Sequence, residues 1–360
     1  MESLVINQDF WHNRTVFITG HTGFKGSWLA LWLKQLGANV VGYALEPLTS
    51  PVLFENAKVI KAIKQHNLAD IRDLNTLSKA MQDCKPEIVI HLAAQPLVRE
   101  SYENPLNTYS TNVMGTVNLF EAVRNVSTVK AVLNITTDKC YENKEWLWGY
   151  RENEAMGGFD PYSSSKACSE LVSSAYRQSF FQQQGIALAT ARAGNVIGGG
   201  DWGKDRIVPD AMRAFIENRP LLIRNPMAIR PWQHVLDALS GYLMLCQQLM
   251  QYPDKFSEAW NFGPNEDDAQ PVSKLADIMV NSWGGKAAWE GDKGEHPHES
   301  LSLRLDCSKA KAQLKWKPIW NLERALGETV NWYKAWYNKK DMQQFTLDQI
   351  RTYHQEHQGQ

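Results

Sequence analysis

The chain reads as an α/β protein: a Rossmann-like doubly wound parallel sheet with a smaller discontinuous α/β substrate domain. Three observations predict it. A short apolar run, residues 15–19, leads straight into a glycine turn, Gly20-His21-Thr22-Gly23-Phe24-Lys25-Gly26, and then into a helical stretch. Strand-like and helix-like segments alternate from there to about residue 192, the pattern of a parallel sheet covered on both faces. Past that point the segments become short and rich in Trp, Pro and Gly.

Taken in order, residues 15–19 predict a strand buried on both faces and closed by Gly20. Residues 27–36 predict a helix stopped by Gly37, and 40–44 the next strand. Strand, glycine turn, helix, strand is a βαβ unit with a phosphate-binding turn in the right place. Residues 87–92 predict a strand ending at Ala93-Ala94, residues 107–126 have helical periodicity, and 129–135 predict a strand that delivers Thr136-Thr137-Asp138-Lys139 at its carboxyl end. A long helix over 162–183 and a strand over 187–191, followed by Gly194-Asn195, complete the alternation. Ligands of such sheets bind beyond the carboxyl ends of the strands, where Gly20, Ala93, Thr137 and Asn195 all fall. The expected nucleotide-binding domain takes residues 1–192 with 228–262, and the expected substrate domain 193–227 with 263–340. Residues 341–360 read as a polar tail, a poorly packed helix. Trp260, Trp283, Trp289, Trp316, Trp320, Trp332 and Trp336 are expected to anchor the smaller domain.

Composition narrows the function. The 360 residues suffice for one large or two modest domains, and 43% hydrophobic with 21% charged is ordinary for a globular protein. A net charge of -1 gives no general attraction to nucleic acid or anionic membrane, so any phosphate site must be local. Five Cys without paired spacing argue against a disulfide framework or a zinc site, and no metal is expected. Met1-Glu2-Ser3 opens no signal-like segment, and no run approaches the ~18 apolar residues of a membrane helix. A cytoplasmic location is therefore expected.

Within the turn, Gly20 allows the tight bend, Gly23 lets backbone approach a pyrophosphate, and Gly26 lets helix and strand pack closely. The helix N-terminus then faces the anion. The G-x-x-G-x-x-G spacing is the form associated with short-chain dehydrogenases. Glu46, twenty residues beyond Gly26, stands where an acid would hold a ribose hydroxyl, or is a solvated loop carboxylate. Asp70-Ile71-Arg72-Asp73 offers a second acid pair within reach of an adenine.

Tyr162 and Lys166 are four apart on a helix and share a face. A free Tyr has a pKa of about 10, and acting as a base near neutrality needs a drop of ~3 units, supplied by a nearby Lys cation and a nicotinamide cation. Thr137 can orient the same hydroxyl. Asp138 can protonate a leaving group, and Lys139 can take a proton beside a carbonyl or stabilise the enolate.

At these residues the sequence resembles the extended short-chain dehydrogenase/reductases and, within them, the nucleotide-sugar 4,6-dehydratases. The resemblance runs over roughly residues 10–340 and includes His91-Leu92-Ala93-Ala94-Gln95, Thr111-Asn112-Val113-Met114-Gly115-Thr116, Asp160-Pro161-Tyr162, Arg192-Ala193-Gly194-Asn195, Arg206-Ile207-Val208-Pro209 and Arg230-Pro231-Trp232. It implies tightly held NAD, with Gly20, Gly23, Phe24, Lys25, Gly26, Glu46, Asp70, Ile71, Ala93, Ala94, Asn112, Tyr162 and Lys166 as cofactor residues. It implies Gln95, Asn195, Arg206 and Arg230 as substrate residues, and Thr137, Asp138, Lys139, Tyr162 and Lys166 as catalytic ones. Related dehydratases carry a Glu where this chain has Lys139; the departure looks like the CDP-sugar branch and implies CDP-glucose as substrate. Two readings of the carbon-5 proton stay open: Lys139 as base, or Lys139 acting by charge with Glu142 or Tyr141 as base. The family also implies a homodimer, with a homotetramer as alternative, built through the Tyr162 helix and its neighbour; Leu171, Val172 and Phe120 are the expected apolar contacts. Rival readings are a nucleotide-sugar 4-epimerase and a non-catalytic NAD-sensing regulator.

Overall fold

The computed structural model describes residues 5–47, 50–294 and 301–359. Its strands, in chain order, are β1 (Thr15–Thr19), β2 (Asn39–Ala44), β3 (Ile63–Leu68), β4 (Ile88–His91), β5 (Ala131–Ile135), β6 (Ala187–Ala193), β7 (Asn195–Ile197), β8 (Leu221–Ile223), β9 (Ile229–His234), β10 (Ala259–Phe262), β11 (Ala269–Pro271) and β12 (Trp289–Gly291). Seven of them form one parallel sheet in the order β10-β6-β5-β4-β1-β2-β3. The order reverses between β1 and β4, so the crevice that such a reversal opens lies at Gly20 and Ala93. A three-stranded sheet, β11-β9-β7, and a pair, β12-β8, stand apart from it.

Alternation along the strands builds two cores from one sheet. Val16 and Ile18 of β1 join Val40, Ile88, Ile90, Ala131 and Leu133 on one face. Phe17 points the other way, with Val41, Tyr43, Val89, Val132 and Leu188. The first face is covered by the helices Phe24–Gln35 and Val235–Gln251, the second by Leu74–Cys84 and Gly115–Arg124. Residues 228–262 divide at His234: β9 belongs to the three-stranded sheet, whereas the following helix and β10 pack on and extend the large one. Trp260, Trp316, Trp320 and Trp332 are buried in the first core rather than in a separate small one.

Three local departures from the sequence reading have physical causes. The stretch 107–126 is helical from Pro105 to Arg124 but carries a π-turn over Ser110–Met114 between Pro105–Tyr109 and Gly115–Arg124. Asn104 caps its start, with Pro105 at the first turn. The Tyr162 helix, Pro161–Tyr176, is capped by Asp160 and likewise runs into a π-turn, Arg177–Phe181. Phe120, an expected contact between subunits, is fully buried within this chain against Tyr176 and Phe181, and Val172 packs at the edge of the same core; of the three, Leu171 is exposed.

The C-terminal segment is the clearest correction. Met342–Gln358 is a well-packed helix whose Ile350 and Tyr353 are fully buried. Tyr353 lies edge-on to Trp32 and Trp320, and its hydroxyl donates to Asp237 Oδ1 at 2.7 Å. Asp237 also accepts the Ile319 backbone N–H at 2.7 Å, while its Oδ2 is buried without a partner. Burial pushes the carboxyl up to about 7. Because the folded value lies above the unfolded one of about 3.9, Asp237 favours the fold most at low pH, and that contribution is lost as pH rises through 7. Asp237→Asn should therefore gain about 2 to 3 kcal/mol relative to wild type between pH 5 and pH 8, read from urea midpoints at the two pH values; an unchanged difference would show that the carboxyl does not titrate there.

Candidate active site

A cleft of 1680 Å³ opens over the carboxyl ends of β1, β4, β5 and β6. Its nucleotide end is built by backbone. Gly20 takes a left-handed φ of +75°, and a Cβ there would stand 2.7 Å from Ala93 N. A Cβ on Gly26 would stand 2.2 Å from Gly20 O, so the helix can start this close to the turn only with glycine. Gly23 is different: its Cβ would meet nothing nearer than 3.4 Å, and it caps the helix Phe24–Gln35 with no side-chain acceptor. The first N–H groups of that helix are left to the cleft, which is what a pyrophosphate needs. Leu92 and Ala93 N–H are turned inward to Thr19 Oγ1, both at 3.1 Å, fixing the facing wall.

Beyond β2, Ala44 is buried and Glu46 is exposed on the rim of the cleft. The Asp70 carboxylate is held by Arg72, whose Nε donates to Oδ1 at 2.9 Å, and this hydrogen bond keeps it below the ordinary range. Ile71 lies beside it, against Gly115. Asn112 does not line the cleft. Its amide accepts from Gln95 N at 2.8 Å and donates to Gln95 O and Ser165 Oγ, so it braces the wall from behind. Gln95, expected at the substrate, spends its side chain on its own loop: Nε2 donates to Thr108 Oγ1 at 2.8 Å and to Leu97 O, and Oε1 accepts from Leu97 N.

The reaction end lies where β5 meets the Tyr162 helix. Thr137 caps a short turn, Asp138–Cys140, and its hydroxyl donates to Asp138 Oδ1 at 3.0 Å. Asp138 is 1% exposed, and its Oδ2 has no partner. Burial raises its carboxyl above the usual range, against the pull of Lys139, Thr137, Arg230 and Lys25. A carboxyl whose hold on its proton is strengthened, and which presents an open oxygen, is suited to donate that proton. Lys166 Nζ donates to Ile135 O at 3.1 Å, and burial lowers it to about 8. In the protein by itself, burial pushes the Tyr162 phenol up to about 12, although a hydrogen bond with Thr137 and the Arg206 charge draw it down.

Three other cations belong to this end. Lys25, expected at the cofactor, sits in the fields of Arg206, Lys166, Asp138 and Asp201; burial brings it down to about 8. Arg206 pairs with Asp201 at 2.8 Å. Arg230 donates to Ile229 O at 2.9 Å and its charge acts on Asp138. Asn195 opens β7 opposite Trp232 and also lines the cleft. The Tyr141 hydroxyl is engaged on both sides: it donates to Asn261 Oδ1 at 2.7 Å and accepts from Arg192 NH1 at 2.8 Å. Glu142 is exposed beside Lys144, 3.8 Å away. The sequence reading missed Asp201, Glu170 and Arg192. Glu170 alone left a local sign, an acid one helical turn beyond Lys166.

Residues 17–329 match the protein family described as GDP-mannose 4,6 dehydratase. A CDP-glucose 4,6-dehydratase of Salmonella typhimurium is 57% identical over 343 residues, 94% of this chain and 95% of that protein. A dTDP-glucose 4,6-dehydratase of the same organism is 26% identical over 355 residues, 90% of this chain and 94% of that protein. Among solved structures, dTDP-glucose 4,6-dehydratase from Bacillus anthracis in complex with NAD matches with a TM-score of 0.74 at 21% identity, covering 89% of this chain and 96% of that one. UDP-glucuronic acid 4-epimerase from Bacillus cereus, in complex with UDP-glucuronic acid and NAD, matches with a TM-score of 0.77 at 24% identity, covering 90% and 100%.

The glycine turn yields a pair of opposed outcomes. Gly26→Ala forces a methyl onto the Gly20 carbonyl and should destabilise the whole chain by about 1 to 3 kcal/mol in a denaturant titration. Gly23→Val has room toward the cleft, so it should keep the fold but weaken NAD binding measured by calorimetry. Equal affinity for NAD in the Gly23 variant would remove the turn from the cofactor site.

Proposed function

The chain belongs to the GDP-mannose 4,6-dehydratase family of extended short-chain dehydrogenases, and we propose that within it the chain converts CDP-D-glucose to CDP-4-dehydro-6-deoxy-D-glucose and water. The observation that carries this reading is Asp138, a buried carboxyl with one unpartnered oxygen at the strand end that faces Tyr162's helix. A 4-epimerase has no leaving hydroxyl to protonate and no use for such a group. The intact Tyr162 and Lys166 count against a non-catalytic regulator. The high identity to a CDP-glucose 4,6-dehydratase supports cytidine as the base.

NAD fits the backbone cradle of Gly20, Gly23 and Gly26, with the Asp70 and Glu46 side of the cleft toward its adenosine. When bound, NAD supplies a hydride acceptor for carbon 4 and later a donor for carbon 6. Thr137 and Tyr162 hold the 4-hydroxyl, and Tyr162 takes its proton; the cofactor's cation must overcome the burial that raises the phenol. Lys166 stays protonated near neutrality and favours the phenolate. The 4-ketone acidifies carbon 5. Lys139 takes that proton or holds the enolate, since Tyr141 is engaged elsewhere and Glu142 faces solvent. Asp138 gives its proton to the departing 6-hydroxyl. Asn195, Arg206 and Arg230 receive the diphosphate, with Arg230 close enough to tune Asp138.

Residues 193–227 and 263–340 supply most of the sugar side, and the step belongs to deoxysugar synthesis for O-antigen in the cytoplasm. The working unit is a homodimer. Leu106, Met114 and Leu171 are exposed on the helical segments expected to pair, at 80%, 52% and 60%. A helical face this apolar is an economical interface for a four-helix bundle.

With CDP-glucose and NAD, the wild type should release a product lighter by one water in a mass spectrum; an unchanged mass with an altered retention time would favour the epimerase. Asp138→Asn should slow product release by about 100-fold or more, while reduced-nicotinamide absorbance accumulates and solvent deuterium enters carbon 5. Wild-type turnover in that variant would sink the elimination half. Leu171→Glu should convert a dimer at micromolar protein into a monomer by light scattering.

A further inference from the structure

Behind the reaction end, outside the cleft, lies a buried ion pair that the reaction as read above does not use. Glu170 and Arg192 meet at 2.8 Å, with both side chains 4% exposed. Glu170 follows Lys166 by one helical turn and shares its face. Its Oε1 accepts the Thr136 hydroxyl, and its Oε2 accepts Thr190 Oγ1 at 2.7 Å together with Arg192 NH2. Thr136 is the residue before Thr137, so this carboxylate holds the end of β5 from which Thr137 and Asp138 project. Arg192 NH1 in turn donates to the Tyr141 hydroxyl and to Glu152 O at 2.9 Å, tying down the chain that follows Lys139.

We propose that Glu170 is a positioning residue of the dehydration: its carboxylate locks the strand end that presents Thr137 and Asp138 onto the helix that carries Tyr162, and it is the buried anion one helical turn from Lys166, on the same face. The catalytic half of this statement rests on the function proposed above; the electrostatic half does not.

Other groups around the pair leave this assignment to Glu170. Burial works against the Glu170 carboxylate, yet Arg192 and its hydrogen bonds hold it below the ordinary range, so it is ionised wherever the protein works. Burial lowers Lys166, and Glu170 first, then Cys140, oppose the fall. Cys140 is itself raised well up by burial and stays a neutral thiol. His91, facing Lys166 from β4, is pushed down to about 3 and stays neutral. Lys25 repels Lys166 from the glycine-turn side and titrates in the same range. Arg177 also lies in the field of Glu170, further along the helix.

The test reads the Lys166 amine directly. Trace acetylation with acetic anhydride, followed on the Lys166 peptide by mass spectrometry across pH 6–10, reports the unprotonated fraction without any turnover. Glu170→Gln keeps the shape and removes the charge, so the labelling midpoint should fall by about one pH unit, roughly tenfold more free amine at a fixed pH below it. Glu170→Asp should restore the midpoint to near the wild-type value. Should the single neutral variant fail to fold, E170Q/R192Q removes both charges of the pair and leaves two amides that can bond each other; the same fall is expected there. An unmoved midpoint in the neutral variants, or an equal fall in Glu170→Asp, overturns the electrostatic role. With CDP-glucose, Glu170→Gln should lose about tenfold in kcat with KM changed less than twofold, and the alkaline limb of kcat should move down with the amine. A fall in kcat without movement of that limb would make the residue merely structural. Absence of any water loss by the wild type would remove the proposed function and leave the labelling result standing.

Discussion

A pair of charges buried beneath the cleft, Glu170 and Arg192, constrains everything above it. Taking two ions out of water costs several kcal/mol each, and their attraction recovers this only when the remaining donors and acceptors are also satisfied. Here all but the buried Arg192 Nε are satisfied, by residues that are far apart in sequence. Thr136 comes from β5, Thr190 from β6, Tyr141 and the Glu152 carbonyl from the segment after Lys139, and Asn261, which holds Tyr141, from β10. Asn261 then donates to the Tyr150 and Asp306 carbonyls. A shift of any one of these elements would leave a buried polar group without a partner. The network thereby fixes the register in which strand ends and helix meet, which is a condition for catalytic groups that must agree to a fraction of an ångström.

That constraint also explains how a chain of net charge -1 gathers cations at one end of a cleft. Lys25, Lys166, Arg206 and Arg230 come from four different elements, and each interacts with another charge of the site. Two of them, Lys25 and Lys166, are brought by burial to about 8, so their charge is conditional on the anions nearby. Asp201 stabilises Arg206, and Asp138 faces Lys25, Lys139 and Arg230 while remaining biased toward its neutral form. The cleft is therefore prepared for an anionic ligand without the chain as a whole attracting polyanions.

Much of this arrangement was legible in the sequence, and the parts that were not share a cause. β1 and β5 were readable because strands buried on both faces are continuous apolar runs. β3, Ile63–Leu68, escaped notice because it is the edge of the sheet and alternates with His, Gln and Asn. Tyr162 and Lys166 were readable from a four-residue spacing, and Gly20 and Gly26 from the turn they make. Arg192 was not read as a partner of Glu170, because the two are 22 residues apart and only the sheet brings them together. Phe120 shows the complementary limit. Helical periodicity marks an apolar face but not what covers it, and here Tyr176 and Phe181 of the same chain do. The C-terminal helix was misjudged for its polar average, although a single stripe through Ile350 and Tyr353 is enough to dock it. Gln95 and Asn112 sit at motif positions and brace the wall of the cleft, a role that only their hydrogen bonds reveal.

Oxidation and elimination make opposed demands on one small volume. The first needs a phenol to give up its proton, and the second needs a carboxylic acid to keep one until a hydroxyl leaves. Burial moves both groups in the same direction, raising Tyr162 and Asp138 together. Burial alone therefore favours the protonated form of each group. What separates the two groups is the sign of the charge that arrives next to each. A bound nicotinamide cation would favour phenolate at Tyr162, and its loss on reduction would return the phenol to its protonated form. Asp138 instead lies in the fields of Lys139, Arg230 and Lys25, cations that the chain itself supplies. The order of the chemistry, oxidation first and loss of water second, is set by the ketone at carbon 4, which makes the carbon-5 proton removable.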